Sequence, residues 1–313
     1  MAYGSIRNET ILLNHERLWR RAAPPQMVDV SARLPELRAL LGEGRYDEAT
    51  NFLNQALEDR GFASKRNTPY QPAFDLKVDT ETLGAFERYR GEVDLGTGEV
   101  TVGWGDGETN CLRKLFVSRR DHVVVLSVRA SRAGAVNCAF RLVKRVHEGF
   151  GMGAYQEREG QEGVTVETAA EEGWLTLRGR QEPLSACEGE SVEFGGRARV
   201  CAVGGQVVTQ EGAVRVVGAD EVLLLLKLYA NEPAEEALPR LREELEGLPA
   251  DYDLLLDRHV ALHGEIFRRM ALDLEAEGRD RPNADLLADA YDGRVPRALI
   301  ERMVDYGRYL LIC

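Results

Sequence analysis

The sequence lacks several features that would place it in other classes of protein. No stretch approaches the roughly eighteen apolar residues of a membrane-spanning helix, and the first residues lack the basic and apolar segments of a secretory signal. Basic residues are also few, since 40 Lys and Arg stand against 52 Asp and Glu, with a formal net charge of -12. Binding to nucleic acid or to an anionic membrane is therefore not expected, because both need a basic surface.

Cysteine is scarce as well. The five copies are Cys111, Cys138, Cys187, Cys201 and Cys313, and no two of them have CxxC spacing. The odd number and the spacing argue against a disulfide framework and against a zinc ribbon. We predict free thiols, a cytoplasmic location, and neither a metal nor a cofactor.

Most of the chain has the alternating pattern of short strands. Met1–Leu13 predicts two strands around a turn at Arg7-Asn8, and from residue 70 the period of two continues. The predicted strands are Phe74–Val78, Phe86–Leu95, Glu99–Trp104, Asn110–Val117, His122–Ala130, Val136–Val143, Val164–Glu167, Trp174–Leu177, Val192–Val203, Val207–Thr209, Ala213–Val217 and Glu221–Tyr229. Such regular spacing predicts a mainly β protein with helical additions, built on a large antiparallel β super-sandwich. His122–Val128 and Val222–Leu228 are apolar on both faces, so we expect them in central strands.

Helical spacing appears at two places. A helical hairpin is predicted at about 31–61, where Pro35 suits a first turn and Gly42-Glu43-Gly44 separates two helices. After the strands, helices are predicted at Pro233–Leu245, Asp251–Met270 and Val295–Ile312. The last helix ends in Tyr-Leu-Leu-Ile-Cys, an apolar end that we expect to pack against another segment.

Several motifs, in order, resemble one enzyme family. ETILLNHERLW at Glu9–Trp19, followed by LPELRALLGEGRYDEA, resembles the opening of glycoside hydrolase family 95, the α-L-fucosidases. Tyr70-Gln71-Pro72 ahead of Asp75-Leu76 resembles the next part of the family pattern. Further matching motifs are YRGEVDLGTGEVTV, LRKLFVSRRDHVVVLSVRA, DYDLLLDRHVALHGEIFRRMALDL and YGRYLLI. The resemblance covers nearly the whole chain. It departs at His15, where the family pattern has an acidic residue, and at Cys313.

The resemblance implies a domain plan and a chemistry. It implies an N-terminal β super-sandwich at 1–230, a helical linker at 231–282 and the start of a truncated (α/α)6 barrel at 283–313. It also implies inverting hydrolysis of α-linked L-fucose by a glutamic acid, an aspartate and asparagines of the barrel, which lie beyond the segment matching Tyr306–Ile312. We therefore assign no catalytic residue to this chain and expect it to be inactive alone. Its expected partners are a fucosylated glycan and a catalytic barrel, in cis or in trans. The alternative is a stand-alone carbohydrate-binding or docking β-sandwich that partners a separately encoded barrel.

Four residues of the opening stretch are predicted to face substrate, namely Asn14, His15, Glu16 and Trp19. Asn14 and His15 either contact sugar or hydrogen-bond neighbouring backbone. Trp19 either stacks on a sugar face or is buried between the strand and the predicted helical hairpin. Glu9 and Glu16 are candidates for the two carboxyls of an inverting glycosidase, but a structural or peripheral role is the stronger interpretation for both.

Three other patterns have ordinary structural interpretations. His259 and His263 are one helical turn apart, which is half of a zinc site, but no third ligand is evident and we predict one core and one surface histidine. Gly149–Gly153 is glycine-rich but lacks the apolar helix of a phosphate site, so we predict a loop. Cys111 has basic neighbours that would lower a thiol pKa, but it falls in a strand and is predicted to be a small core residue.

Overall fold

The computed structural model describes residues 2–18, 27–62, 71–82, 84–145, 163–182 and 191–313. The strands within these ranges are β1 Asn8–Leu13, β2 Phe74–Thr80, β3 Phe86–Asp94, β4 Glu99–Asp106, β5 Thr109–Ser118, β6 Val123–Ala130, β7 Val136–Val143, β8 Val164–Glu171, β9 Trp174–Gln181, β10 Val192–Val203, β11 Gln206–Gln210, β12 Ala213–Ala219 and β13 Glu221–Ala230. The helices are α1 Leu34–Gly42, α2 Tyr46–Glu58, α3 Ala234–Glu246, α4 Tyr252–Phe267, α5 Asn283–Tyr291 and α6 Arg297–Ile312, with a 3-10 turn at Ser31–Arg33.

The strands form two antiparallel sheets. One has five strands in the order β1-β2-β7-β12-β11, and the other has eight in the order β3-β4-β5-β6-β13-β10-β9-β8. Facing residues of the two sheets share one large apolar cluster, to which Phe74, Phe140 and Phe194 contribute. The prediction of a mainly β, antiparallel sandwich with helical additions is confirmed.

The two strands predicted to be central, β6 and β13, are neighbours in the middle of the eight-stranded sheet. Their alternate residues enter different cores. Leu126 of β6 lies in the cluster between the sheets, whereas Val125 belongs to a second cluster with Tyr252 and Leu255 of α4. Both faces of β6 are therefore covered by apolar neighbours, and this is why its sequence does not alternate.

The helices begin where the sequence offers the right residues. Pro35 lies in the first turn of α1, and Asp251 caps α4 by accepting a hydrogen bond from the Leu254 amide at 3.0 Å. The predicted helical hairpin is present as α1 and α2, but α1 has no buried residue. Of α2, only Ala49 and Ala56 are buried.

Two features differ from the predictions. The prediction of two strands in Met1–Leu13 is wrong, because the described part forms one strand, β1, and an isolated bridge between Ala2 and Ile11. The structure also adds α5, which is not among the predicted helices. The glycine-rich segment Gly149–Gly153 lies outside the described residues.

Candidate functional site

The predicted substrate-facing residues follow β1 directly. Strand β1 ends at Leu13, and the next residues form a tight turn in which the Leu18 amide donates to the His15 carbonyl at 2.9 Å. Asn14 and Glu16 are exposed and His15 is half-buried. The structure thus brings these three residues together in one turn, which we call the β1 edge (residues 14–17). Trp19 lies outside the described residues.

A buried arginine holds the start of the β1 edge. Arg145 is 7% exposed and Asp75 is 3% exposed. The Arg145 guanidinium donates to Asp75 Oδ1 at 2.9 Å, to the Leu13 carbonyl at 3.1 Å and to Asn14 Oδ1 at 3.3 Å. Because one planar group binds a carboxylate, the backbone and the side-chain amide, it fixes where Asn14 lies. The amide oxygen of Asn14 is engaged, so the part that can donate to a ligand is its NH2 group.

His15 follows Asn14 in the same turn. Burial lowers the pKa of His15 below its ordinary value, and the Arg17 guanidinium lowers it further against the opposing pull of Glu16. Its Nδ1 accepts a hydrogen bond from the Arg17 amide at 3.2 Å. When Nδ1 of the neutral ring accepts this hydrogen bond, the ring proton is on Nε2.

The far end of the β1 edge is tied to two other segments. The Asn231 side chain, just after β13, donates to the Arg17 carbonyl at 2.8 Å. The Gln71 amide donates to the Leu18 carbonyl at 3.2 Å. The sequence alone does not point to Arg145 or Asn231, since nothing in spacing links residues that are more than a hundred positions apart. In the sequence, Asp75 stands out only as part of the Asp75-Leu76 motif.

Glu9 is a structural carboxylate. It is 1% exposed, and Arg113, 3% exposed, donates to its Oε2 at 2.6 Å. The amides of Tyr3, Gly4 and Thr10 each donate to the same carboxylate at 2.9 Å. Four donors leave Glu9 committed to the fold, so it does not act as an acid or a base.

The two histidines of α4 are both core residues. His259 is 3% and His263 is 1% exposed, so the prediction that one is on the surface is wrong. They stack on each other, and His259 also stacks on Phe116. His259 Nδ1 accepts from the Arg119 amide at 3.1 Å, and His263 Nε2 lies 2.9 Å from the Leu95 carbonyl. Helix α4 packs across the sheet, and this buries both positions of its inner face. No group of three potential metal ligands occurs in the part of the chain that the structure describes.

Of the cysteines in described strands, Cys138 is buried, whereas Cys111 and Cys201 are half-buried. Cys111 is half-buried in β5, and its pKa is raised by burial and by the Asp106 carboxylate. It is not an activated nucleophile. Cys138 and Cys201 are free thiols in strands, and Cys313 is free and exposed. Cys187 lies outside the described residues.

Among the described helices, none is long and apolar enough to cross a membrane.

Comparison with known proteins identifies two segments. Residues 1–235 match the model for the glycosyl hydrolase family 65 N-terminal domain, and residues 251–313 match the model for the glycosyl hydrolase family 95 catalytic domain. Alpha-L-fucosidase 2 of Arabidopsis thaliana is 22% identical over 350 aligned residues, which cover 99% of this chain and 38% of that protein. The chain thus spans less than half the length of this curated relative.

Two solved structures show weaker likeness. A protein assigned as a kojibiose phosphorylase, from the human microbiome, has a TM-score of 0.42 at 9% identity, covering 64% of this chain and 28% of that one. A bacterial glucoamylase complexed with acarbose has a TM-score of 0.35 at 10% identity, covering 63% and 32%. Likeness at this level supports no inference about the site.

Proposed function

Because this chain belongs to glycoside hydrolase family 95, with an N-terminal domain of the family 65 type, we propose that it is the non-catalytic N-terminal part of an α-L-fucosidase-like enzyme. In this proposal the catalytic barrel acts on a fucosylated glycan, and the β1 edge of the sandwich contributes to the rim of the pocket. The domains are a sandwich at 1–230, a helical linker at 231–282 and the beginning of the barrel at 283–313.

The observation that carries the proposal is the supported turn after β1. Asn14 is exposed, its NH2 group can donate a hydrogen bond without carrying a charge, and the buried Arg145–Asp75 pair fixes its position. Half-buried His15 follows it in the same turn. Neutral donors held by a rigid frame suit a neutral ligand rich in hydroxyls, since each hydroxyl can accept from them. Glu16 is exposed at the same turn and adds an acceptor.

The last helix supports the presence of a covering partner. Helix α6 leaves a row of large apolar side chains in solvent: Ile300 at 39%, Met303 at 64%, Tyr306 at 51%, Leu310 at 56% and Leu311 at 89% exposure. This row falls within residues 251–313, the segment that matches the family 95 catalytic model. We propose that barrel helices, in cis or in trans, cover this face.

The first experiment tests activity of the chain alone. Purified protein is incubated with 4-nitrophenyl α-L-fucoside, and we expect no release of nitrophenol, because the proposed catalytic carboxyls belong to the barrel. Turnover that Glu16→Gln abolishes would place the chemistry on the sandwich instead. The matched control is Glu235→Gln, which changes an exposed glutamate of α3.

The second experiment tests the β1 edge in the presence of a barrel. A family 95 barrel is supplied after Cys313 or as a separate chain, and activity on the fucoside is measured. We expect His15→Ala to raise KM by ~2- to 10-fold, which corresponds to one neutral hydrogen bond. An unchanged KM and kcat for both His15→Ala and Asn14→Ala would contradict a substrate-facing role. The nucleotides that follow the Cys313 codon distinguish a barrel in cis from one encoded separately.

A further inference from the structure

The eight-stranded sheet ends in a strand that is exposed on both faces. Strand β3 pairs with β4 on one side, and no other strand of the described residues pairs with it. Every residue of β3 is exposed, including the large apolar side chains of Phe86, Tyr89 and Val93. A long edge strand with exposed apolar side chains offers a place where a further strand can pair.

The backbone of β3 directs hydrogen-bonding groups toward this open edge. At the turn into β4 the Asp94 carbonyl accepts from the Gly98 amide at 2.7 Å, so the peptide groups of Asp94 face β4. Along an antiparallel strand the residues alternate between facing one neighbour and facing the other. Glu92 therefore also faces β4, whereas Gly91 and Val93 direct their N–H and C=O groups away from it.

The side chains of β3 are arranged symmetrically about Gly91. Arg90 precedes this glycine and Glu92 follows it, and their side chains form an exposed ion pair at 2.5 Å. Tyr89 and Val93 lie two positions before and after the glycine, on the opposite face of the strand. Each residue before Gly91 is thus complementary to the residue at the same distance after it, in charge or in apolar character.

A second copy of β3 satisfies this pattern when it pairs in the antiparallel direction. With a two-fold axis at Gly91, Arg90 lies opposite Glu92 of the second copy, and Tyr89 lies opposite its Val93. The symmetry makes each of these contacts twice. Opposite charges and aromatic–β-branched pairs stabilise neighbouring strands when they lie directly across from each other.

Other registers of the same pairing bring like charges together. An axis between two residues is excluded, because it would pair Gly91 with a residue whose backbone groups face β4. An axis at Arg90 places two guanidinium groups opposite each other, and an axis at Glu92 places two carboxylates opposite each other. Like charges in these positions are destabilising, so the charges select the register centred on Gly91.

We propose that β3 is a docking surface for a second copy of this chain. The two β3 strands pair in the antiparallel direction about Gly91, and the eight-stranded sheets of the two copies join into one continuous sheet. The inference goes beyond the proposed function, because it concerns a different surface and needs neither a barrel nor a substrate.

The test is the oligomeric state of the whole chain. Sedimentation velocity is measured over roughly 5–300 μM protein, and we expect a monomer–dimer equilibrium within this range, because one paired edge is a small interface. Arg90→Glu should raise the Kd of the dimer by ~10-fold or more, since it places like charges opposite each other at two points. Glu92→Arg should have the same effect. Each variant loses only an exposed ion pair, so its thermal midpoint should change little.

Mixing the two variants gives the most specific readout. In a mixed dimer, both carboxylates of the Arg90→Glu chain face both guanidinium groups of the Glu92→Arg chain, so an equimolar mixture should dimerise although neither variant does so alone. The matched control is Arg180→Glu in β9, because Arg180 pairs with Glu182 two positions along the chain and is also exposed. This control should leave the Kd unchanged.

A further variant separates this surface from the proposed barrel-facing surface. Met303→Glu changes the exposed apolar row of α6 and should leave the dimer intact. Three results would overturn the inference: a monomer at every concentration, a dimer that persists in Arg90→Glu, and a mixture of the two β3 variants that stays monomeric. Loss of the dimer in Met303→Glu would also overturn it, because the contact would then lie on α6.

Discussion

Replacing Glu9 by glutamine tests the structural role of this carboxylate with almost no change of shape. Oε1 of Glu9 accepts from the amides of Tyr3 and Thr10, and Oε2 accepts from the amide of Gly4 and from Arg113. A glutamine can keep one oxygen in place, but its NH2 group then faces two donors. The variant therefore loses two hydrogen bonds and the ion pair while filling the same space.

The magnitude follows from the burial of Arg113. Breaking a buried ion pair by changing one partner costs about 3–5 kcal/mol, because a charge is left uncompensated. Burial already lowers the pKa of Arg113 against the opposing effect of Glu9. The guanidinium does keep one acceptor, the Ser5 carbonyl at 2.6 Å. We therefore expect the lower end of the range, a loss of about 3 kcal/mol in the free energy of unfolding.

Urea unfolding followed by circular dichroism measures this loss. With an m-value of about 3 kcal/mol/M, a loss of about 3 kcal/mol lowers the midpoint by roughly 1 M. Glu81→Gln is the matched control, because Glu81 pairs with Arg215 at the same 2.6 Å but its side chain is 64% exposed. An exposed pair contributes about 0–1 kcal/mol. If Glu9→Gln is no more damaging than Glu81→Gln, the structural assignment of Glu9 is refuted.

Three further predictions concern pH, thiol access and backbone space. Burial lowers the pKa of His259 to about 4 from 6.5, so the unfolded chain takes up the proton first and stability falls as the pH drops from about 6.5 to about 4. His259→Asn should flatten this fall by about 1–2 kcal/mol in urea titrations, and identical pH profiles would contradict the assignment. Burial raises the pKa of Cys138 to about 12. Alkylation followed by mass spectrometry should therefore label exposed Cys313 in the native protein and Cys138 only after unfolding. Rapid labelling of Cys138 in the native protein would count against its burial. Gly195→Ala should lower the thermal midpoint by several degrees, because a Cβ would collide with neighbouring backbone. Gly307→Ala has open space around the new Cβ and should stabilise α6 by about 0.5–1 kcal/mol. Equal effects of the two substitutions would disprove the close approach at Gly195.

The strands could be predicted because their determinants are local. A strand with one face in a core and one in solvent alternates, and Val136–Val143 and Val192–Val203 are observed with the predicted bounds. Central strands are recognisable by the loss of that alternation, which burial on both faces requires. Turn glycines such as Gly98, with a φ of +69°, mark where one strand ends and the next begins.

The partners of individual side chains could not be predicted, because they depend on strand order. The sequence does not say that β1 pairs with β2, so it cannot bring Arg145 to Leu13 and Asn14. Burial of the α4 histidines also depends on packing. When polar residues occupy the positions of a helix that face the core, the sequence predicts that they are partly exposed. Their burial becomes evident only when the sheet that packs against the helix is known.

The β1 edge is a place where function and stability can be separated by experiment. Strand β1 is fixed by two buried ion pairs, one through Glu9 within the strand and one through Asp75 on its neighbour. Asn14 is bound to this frame through Arg145 at 3.3 Å, whereas the side chain of Glu16 is exposed. Exposed substitutions away from buried networks change stability by about 0.5 kcal/mol or less. A change at Glu16 that alters activity in the presence of a barrel therefore reports contact with substrate, whereas a change at Asp75 alters the fold and the rim together.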